Sequence, residues 1–487
     1  MKKKLTKNYL YNLVYHALNI IVPMLTVPYV TRIILPAQMG IFSTSQSLFT
    51  IIVIAAQFGV LTYGTREIAM AYNNKKLMLE RFQHIFSTQV LTTILFLIPC
   101  FFLSLGIAGN NEVGWIYAVN ALLILNATFD ISWFYNGQEE FKITITRNIF
   151  VKFIAIPLIF ILVKDKDDII IYTLIYVLSA FIGNISMFAG LKKFAGTFHI
   201  FSYKWIDKSV IKEALPYMAP MILSMIFVEI SRFFVYGISG QTVTGIYDQA
   251  LKIARMMIVI TTALLGVTSP RMSMFVSSNT YNVMRQYYAK IFIFLLFQSF
   301  LIACGILLVG NDFVSLFFGP KYAKVAPVLQ VFSVYPLIFV LDQCVVSLLL
   351  RPLGLTHAML ISILISLGIN ITLNLLLVPA LGAIGGALAL IISTLISALI
   401  QTYSCWKFIL WQPILKNAGI MIISGVCTTT LLLFIKKFIF FSALANFFIY
   451  GAICIILFSS IVFFLAKDIR DYLFEFIHSL VKKYRKS

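Results

Sequence analysis

Long apolar stretches without a single charge recur along the chain, separated by short polar punctuation. Residues 8–31, 33–65, 82–111, 169–191 and 291–311 are such runs. A helix needs about 20 predominantly apolar residues to cross roughly 30 Å of hydrocarbon. The run 352–406 is about twice that length, and Pro379 with Gly382 divides it into two helices. Ten-residue segments with period-2 alternation, which an outer-membrane barrel would show, are absent. The pattern therefore predicts an all-α integral membrane protein with about 14 transmembrane helices. They fall near residues 9–34, 40–64, 85–108, 114–136, 143–163, 169–190, 214–236, 245–268, 289–310, 326–349, 357–378, 382–405, 416–435 and 442–466. In the tail, Ile469, Tyr472, Leu473, Phe476, Ile477, Leu480 and Tyr484 share one helical face opposite Lys482, Lys483 and Arg485. Such a basic amphipathic helix lies in the membrane interface, and residues 198–212 are read the same way.

Composition agrees. The 487 residues are 60% hydrophobic and 11% charged, with a mean hydropathy of +0.95. Charged residues make up about a quarter of a soluble domain, so this chain has too few to coat a soluble fold. The net charge of +20 has its own explanation. With a cytoplasmic amino terminus and an even number of spans, both termini are inside, and most of the lysines and arginines fall on inner loops. That is the positive-inside bias, so nucleic-acid binding is not needed to explain the charge. The first apolar run is too long for a cleaved signal and reads as a retained span.

The residues exclude several kinds of chemistry. The six cysteines are scattered through apolar spans without a CxxC, and the five histidines show no ligand spacing, so no metal or cofactor is expected. There is no GxxxxGK[ST], GxSxG or HExxH motif, and the outer loops are too short to house a catalytic site. An enzyme is not expected. A membrane glycosyltransferase or polymerase is disfavoured for the same reason.

The chain echoes itself. Pro23, Pro28, Arg32 and then Gly40-Ile41-Phe42 are matched about 200 residues later by Pro216, Pro220, Arg232 and Gly245-Ile246-Tyr247. Six spans separate the two sets, so topology is preserved, as in transporters built from repeats about an axis along the membrane normal.

Charges within spans are costly, about 2.5–3.5 kcal/mol each on insertion scales, and usually face a partner or a cavity. Here they are Arg32, Asp130, Glu229, Arg232, Asp248, Lys252, Arg255 and Asp342. Glu229 with Arg232 and Asp248 with Lys252 are spaced to pair along their own helices. Arg32 can snorkel to the outer interface. Arg255 is two turns from Asp248, whose partner is Lys252, and Lys252 and Arg255 are the candidates for lining a substrate path. An excess of cations suits an anionic ligand, because guanidinium groups grip phosphate oxygens in a fork. Asp130, just before Trp133-Phe134-Tyr135, reads as a cap or an interhelical hydrogen bond, and Asp342 similarly.

Pro23 to Arg32 (PMLTVPYVTR), Gly40-Ile41-Phe42 and Tyr63-Gly64-Thr65-Arg66-Glu67 resemble the opening of the bacterial O-antigen, capsule and exopolysaccharide repeat-unit flippases. These belong to the multidrug/oligosaccharidyl-lipid/polysaccharide exporter superfamily. Trp133 to Glu139, Tyr247 to Lys252 with Pro270-Arg271, and Leu381 to Leu388 (LGAIGGAL) are similar to that family's fourth, eighth and twelfth spans. The likeness covers most of the chain and fades after about residue 410. It implies a six-helix bundle over 1–191, an interfacial linker over 192–212 and a second bundle over 213–406. Two further helices follow over 407–466, then a basic amphipathic cytoplasmic tail over 467–487, with a central cavity between the bundles. It further implies a plasma-membrane protein that carries undecaprenyl-pyrophosphate-linked oligosaccharide to the outer leaflet, coupled to an ion gradient. Arg255, Lys252, Arg232, Arg32 and Arg66 would contact the head group. Glu229, Asp248, Asp130 and Asp342 are candidates for ion coupling or ion pairing. Membrane lipids and a polysaccharide polymerase or assembly protein are the implied partners. Two alternatives share the superfamily, a peptidoglycan lipid-precursor flippase and a multidrug exporter.

Overall fold

The computed structural model describes residues 21–109, 111–195, 202–439, 441–468 and 470. The amphipathic tail helix and residues 196–201 of the linker lie outside these. Among the described residues every regular element is helical. Twelve helical stretches among the described residues are long and apolar enough to cross a membrane, and one bent pair makes a thirteenth. The first expected span is described only as Ile21–Ile33 (α1). The chain divides into two compact units, Met1–Gly245 and Ile246–Ser487.

In the first unit, α2 (Pro36–Ala56) is separated from α3 (Val60–Met70) by a break at Phe58 and Gly59, whose φ values are 47° and 76°. Glycine is required at 59 twice over. Its φ is left-handed, and a Cβ there would press on the Ala214 carbonyl oxygen, 2.5 Å away. After α4 (Lys75–Ala108), the fourth span is itself in three pieces: α5 (Glu112–Ala121), α6 (Leu123–Thr128) and α7 (Ser132–Gly137). Breaking a helix in hydrocarbon strands carbonyl groups that no water can reach, so protein must satisfy them. Gln89 does so. Its Nε2 donates to the carbonyls of Ala127, Thr128 and Asp130 at 2.6, 3.4 and 3.1 Å, while its Oε1 accepts from Trp133 Nε1 at 2.9 Å. Trp133, Phe134 and Tyr135 are fully buried with Phe82 in this unit's aromatic core.

Helices α8 (Phe141–Leu162) and α9 (Ile169–Ala195) follow. Helix α10 (Lys208–Ser239) is capped by Asp207, whose carboxylate accepts from Ser209 N at 2.8 Å. Hydrogen bonding to Ser209 holds the Asp207 carboxyl below its ordinary pKa. Helix α10 packs against α2, α3 and α4, so the seventh span shares the first unit's core.

The second unit takes up the chain within α11 (Gln241–Met257), which is bent by 45° from α12 (Val259–Ser277). Then come α13 (Tyr281–Phe318), α14 (Val325–Val331) and α15 (Tyr335–Val345), which ends in a buried π-helical turn at Val346–Leu350. Helices α16 (Thr356–Leu381) and α17 (Ala383–Ser404) form a hairpin joined by a polar seam. Asn370 donates to Ser393 Oγ at 2.7 Å and Gln401 to Ser362 Oγ at 3.0 Å, rungs two turns apart in one antiparallel register.

The last two helices, α18 (Trp411–Phe438) and α19 (Ala443–Leu465), pack on α13. A carboxylate secures each end. Asp312 of α13 pairs with Lys436 at 2.5 Å and accepts from Asn446 at 3.3 Å. At the other end Asp468 accepts from Asn417 at 2.9 Å, with Lys416 at 3.6 Å.

Candidate functional site

In the first unit, Glu229 and Arg232 lie one turn apart on α10 and are 3% and 6% exposed. The guanidinium pairs with the Glu229 carboxylate and touches Ser47 of α2, whose hydroxyl donates to Glu229 Oε2 at 2.8 Å. Arg232 is thus inside a helix–helix contact, and reaching a ligand would require it to leave Glu229. Removing one member of a buried pair leaves an uncompensated charge at a cost of about 3–5 kcal/mol, whereas a neutral hydrogen bond contributes about 1 kcal/mol. Glu229→Ala is therefore expected to lower thermal stability strongly and Ser47→Ala only slightly. Equal melting temperatures for the two variants in detergent would contradict this account of the contact.

The remaining first-unit candidates are more open. Arg66 is exposed on α3 and donates to the Tyr217 hydroxyl at 2.9 Å. Beside it Tyr63 donates to Glu213 at 2.9 Å, and Arg81 pairs with Glu67. These bonds tie α3 to α4 and α10, consistent with an anchoring role for the segment. Arg32 is exposed at the end of α1. Asp130 sits at the break of the fourth span, accepting from Ser132 N at 3.0 Å and pairing with Arg147 at 3.4 Å. Arg147, which shares the fifth span with Lys152, also donates to Asn184 at 2.8 Å.

In the second unit, Asp248 and Lys252 pair along α11 at 2.7 Å. The Asp248 side chain is fully buried, while Lys252 is 29% exposed. Arg255 follows one turn later on the same face, half-buried, beside the bend into α12. Discontinuous spans are where transporters commonly build their substrate sites, and two cations at such a bend suit an anionic group. Asp342 lies within α15, buried, accepting from Gln343 Nε2 at 2.8 Å, with Ser397 and Gln401 of α17 beside it.

Sequence reasoning grouped the charges but missed the neutral residues beside them, Ser47, Asn184, Ser397 and Gln401, and missed Gln89, which satisfies the carbonyls at the fourth span's break. A signal was present for the seam, since Ser362, Ser366, Asn370 and Asn374 recur every fourth residue, as do Ser393, Ser397 and Gln401. Among the described residues no group of three or more His, Cys, Asp or Glu side chains could hold a metal ion.

The second unit's architecture and the first's broken spans can be set beside known proteins. The chain is similar in fold to an inward-closed structure of the lipid II flippase MurJ, with a TM-score of 0.67 at 15% identity over 95% of this chain and 99% of that one. An inward-facing multidrug transporter of the MATE family gives a TM-score of 0.59 at 12% identity, over 81% and 98% of the two chains. At these identities the likeness concerns the fold alone. In sequence, the chain is 21% identical over 349 residues to a putative O-antigen transporter of Shigella dysenteriae, 72% of this chain and 86% of the relative. A putative O-antigen transporter of Escherichia coli (strain K12) is 28% identical over 171 residues, 35% of this chain and 41% of that relative's length. Residues 5–276, more than half the chain, match the family described as polysaccharide biosynthesis protein, and the chain belongs to that family of multi-pass membrane proteins.

Proposed function

We propose that the protein is a flippase that moves undecaprenyl-pyrophosphate-linked oligosaccharide repeat units from the inner to the outer leaflet of the plasma membrane. The observation that carries this is the Lys252–Arg255 face at the bend of α11, two cations on a discontinuous span in a member of a polysaccharide family. Pyrophosphate is the group such a face would receive, through charge-assisted hydrogen bonds that strengthen where water is scarce. Arg32 and Arg66, both exposed, serve as secondary contacts, and Arg232 contributes only if Glu229 releases it. Asp342 is the candidate ion-coupling carboxylate, because its hydrogen-bond partner is neutral instead of basic. Asp130, Glu229 and Asp248, each with a cationic neighbour, are ion-pair members in this scheme. Both termini lie on the cytoplasmic side, and the released repeat units pass to a polymerase or assembly protein outside.

The test is where lipid-linked sugar accumulates after deletion of the gene. Complete repeat units building up on the inner leaflet, shielded from an impermeant sugar-modifying reagent, with surface polymer lost, are the expected result. Normal arrival at the outer leaflet would refute it. The second reading is a peptidoglycan-precursor flippase, with which the shared fold is compatible. Under that reading depletion in a strain with no other such flippase is lethal and lipid II is the lipid that accumulates.

A further inference from the structure

Tyr176 of α9 is 42% exposed and lies about 10 Å along its helix from Ile169, on a different face from the exposed Ile171, Leu178, Ile182 and Ile185. Tyr176 is thus open on a face other than the one on which α9 exposes its aliphatic side chains. Its hydroxyl lies beside the side-chain amide of Gln46, which is about 15 Å into α2 from Pro36. Gln46 is itself half-buried. A phenol and an amide left partly open at that depth would be costly against hydrocarbon, where their remaining donors and acceptors find no partner. Behind them Phe42 is buried and meets the rings of Tyr172 and Tyr176 edge-on, with centroids 5.1 and 5.9 Å apart. That interlock fixes the plane of the Tyr176 ring.

We infer that Tyr176 and Gln46 form a sugar-binding subsite on the first unit, which receives a neutral pyranose of the transported head group. The apolar C–H face of the sugar stacks on the Tyr176 ring, and its hydroxyls exchange hydrogen bonds with the Gln46 amide and the Tyr176 hydroxyl. Neither residue is charged, so the subsite reads the glycan and is blind to the pyrophosphate. The inference rests on the flippase reading given above.

The experiment uses full-length protein in membranes, with Gln46→Cys and Tyr176→Cys labelled by a charged, membrane-impermeant maleimide and read against the unsubstituted chain, whose own Cys427 is exposed. The probes are the free repeat-unit oligosaccharide, released from the producing strain, and inorganic pyrophosphate. Both cysteines are expected to label, and the oligosaccharide to slow labelling of Gln46→Cys at least 5-fold while pyrophosphate leaves it unchanged. Alongside, Tyr176→Ala is expected to lower flipping at least 10-fold, and Tyr176→Trp, which keeps an aromatic face, to retain most of it. Cysteines that never label, or labelling indifferent to the sugar, would overturn the subsite. So would equal slowing by pyrophosphate. Protection by sugar in a protein whose deletion leaves repeat units reaching the outer leaflet would instead count against the flippase reading and leave the sugar site standing.

Discussion

Lys252→Ala is expected to reduce both the amount of folded protein and transport, and a second substitution separates the two effects. The Asp248 carboxylate is fully buried and 2.7 Å from Lys252 Nζ, so truncating the lysine strands a charge at a cost of about 3–5 kcal/mol. Asp248→Asn in the same chain removes that charge and should restore the yield and melting temperature. It should not restore transport. If the ammonium also meets the pyrophosphate, one charge-assisted hydrogen bond is lost, about 1.5–3 kcal/mol, which corresponds to about 10- to 150-fold in rate. Arg255→Ala, one turn further on, should lower transport by a similar factor. Vesicle flipping assays on protein-normalised samples, with unfolding measured in the same detergent, read both quantities. A double variant that folds and transports normally would reduce Lys252 to a structural partner of Asp248.

Gly245→Ala is expected to abolish transport more completely than removal of any one charge. Gly40 and Gly245 each lie four residues after the first residue of their helix, Pro36 and Gln241. Each presses against the start of the other helix. A Cβ on Gly245 would overlap the Pro36 carbonyl oxygen, and one on Gly40 would overlap that of Gln241. The obstacle is backbone on backbone, so no rotamer change relieves it, and overpacking of this kind costs about 1–3 kcal/mol or more. Close approach through small residues is also how membrane helices gain contact, since lipid supplies no hydrophobic drive. Gly40→Ala should behave alike. Gly266→Ala, where a Cβ meets nothing within 4 Å, should be silent in melting temperature and flipping. Normal transport by Gly245→Ala would mean that this contact is dispensable.

These two glycines also mark how far the sequence could be read. The echo of Arg32 with Gly40-Ile41-Phe42 in Arg232 with Gly245-Ile246-Tyr247 was visible as a repeat, but that the repeated glycines press against each other's helices was not, because contact is not a property of spacing. The all-helical membrane class and most span positions followed from charge-free runs of sufficient length, which are set by the thickness of hydrocarbon. The ion pairs at 229/232 and 248/252 followed from helical periodicity. The interruptions did not. The fourth span contains no proline, and its break at residues 129–131 is sustained by Gln89, some 40 residues earlier. A break that depends on a distant side chain leaves no local trace. The same holds for Ser47, an unremarkable serine until Glu229 and Arg232 are brought to it.

The two carboxylates that secure α18 and α19 have a consequence for how the chain is made. Lys436 follows Asp312 by 124 residues, so α13 is synthesised and threaded into the bilayer long before its counter-charge exists. Until the last hairpin arrives, that acid must wait near the aqueous boundary or be sheltered by the insertion machinery, since an unpaired carboxylate is poorly tolerated in lipid. Asp468 repeats the arrangement at the opposite end, where the anchoring group is made last and Lys416 and Asn417 await it. Biogenesis of the second unit thus finishes only when the ribosome has released residue 468, and a nascent chain stopped before α18 is an unfinished membrane domain, not a shortened one.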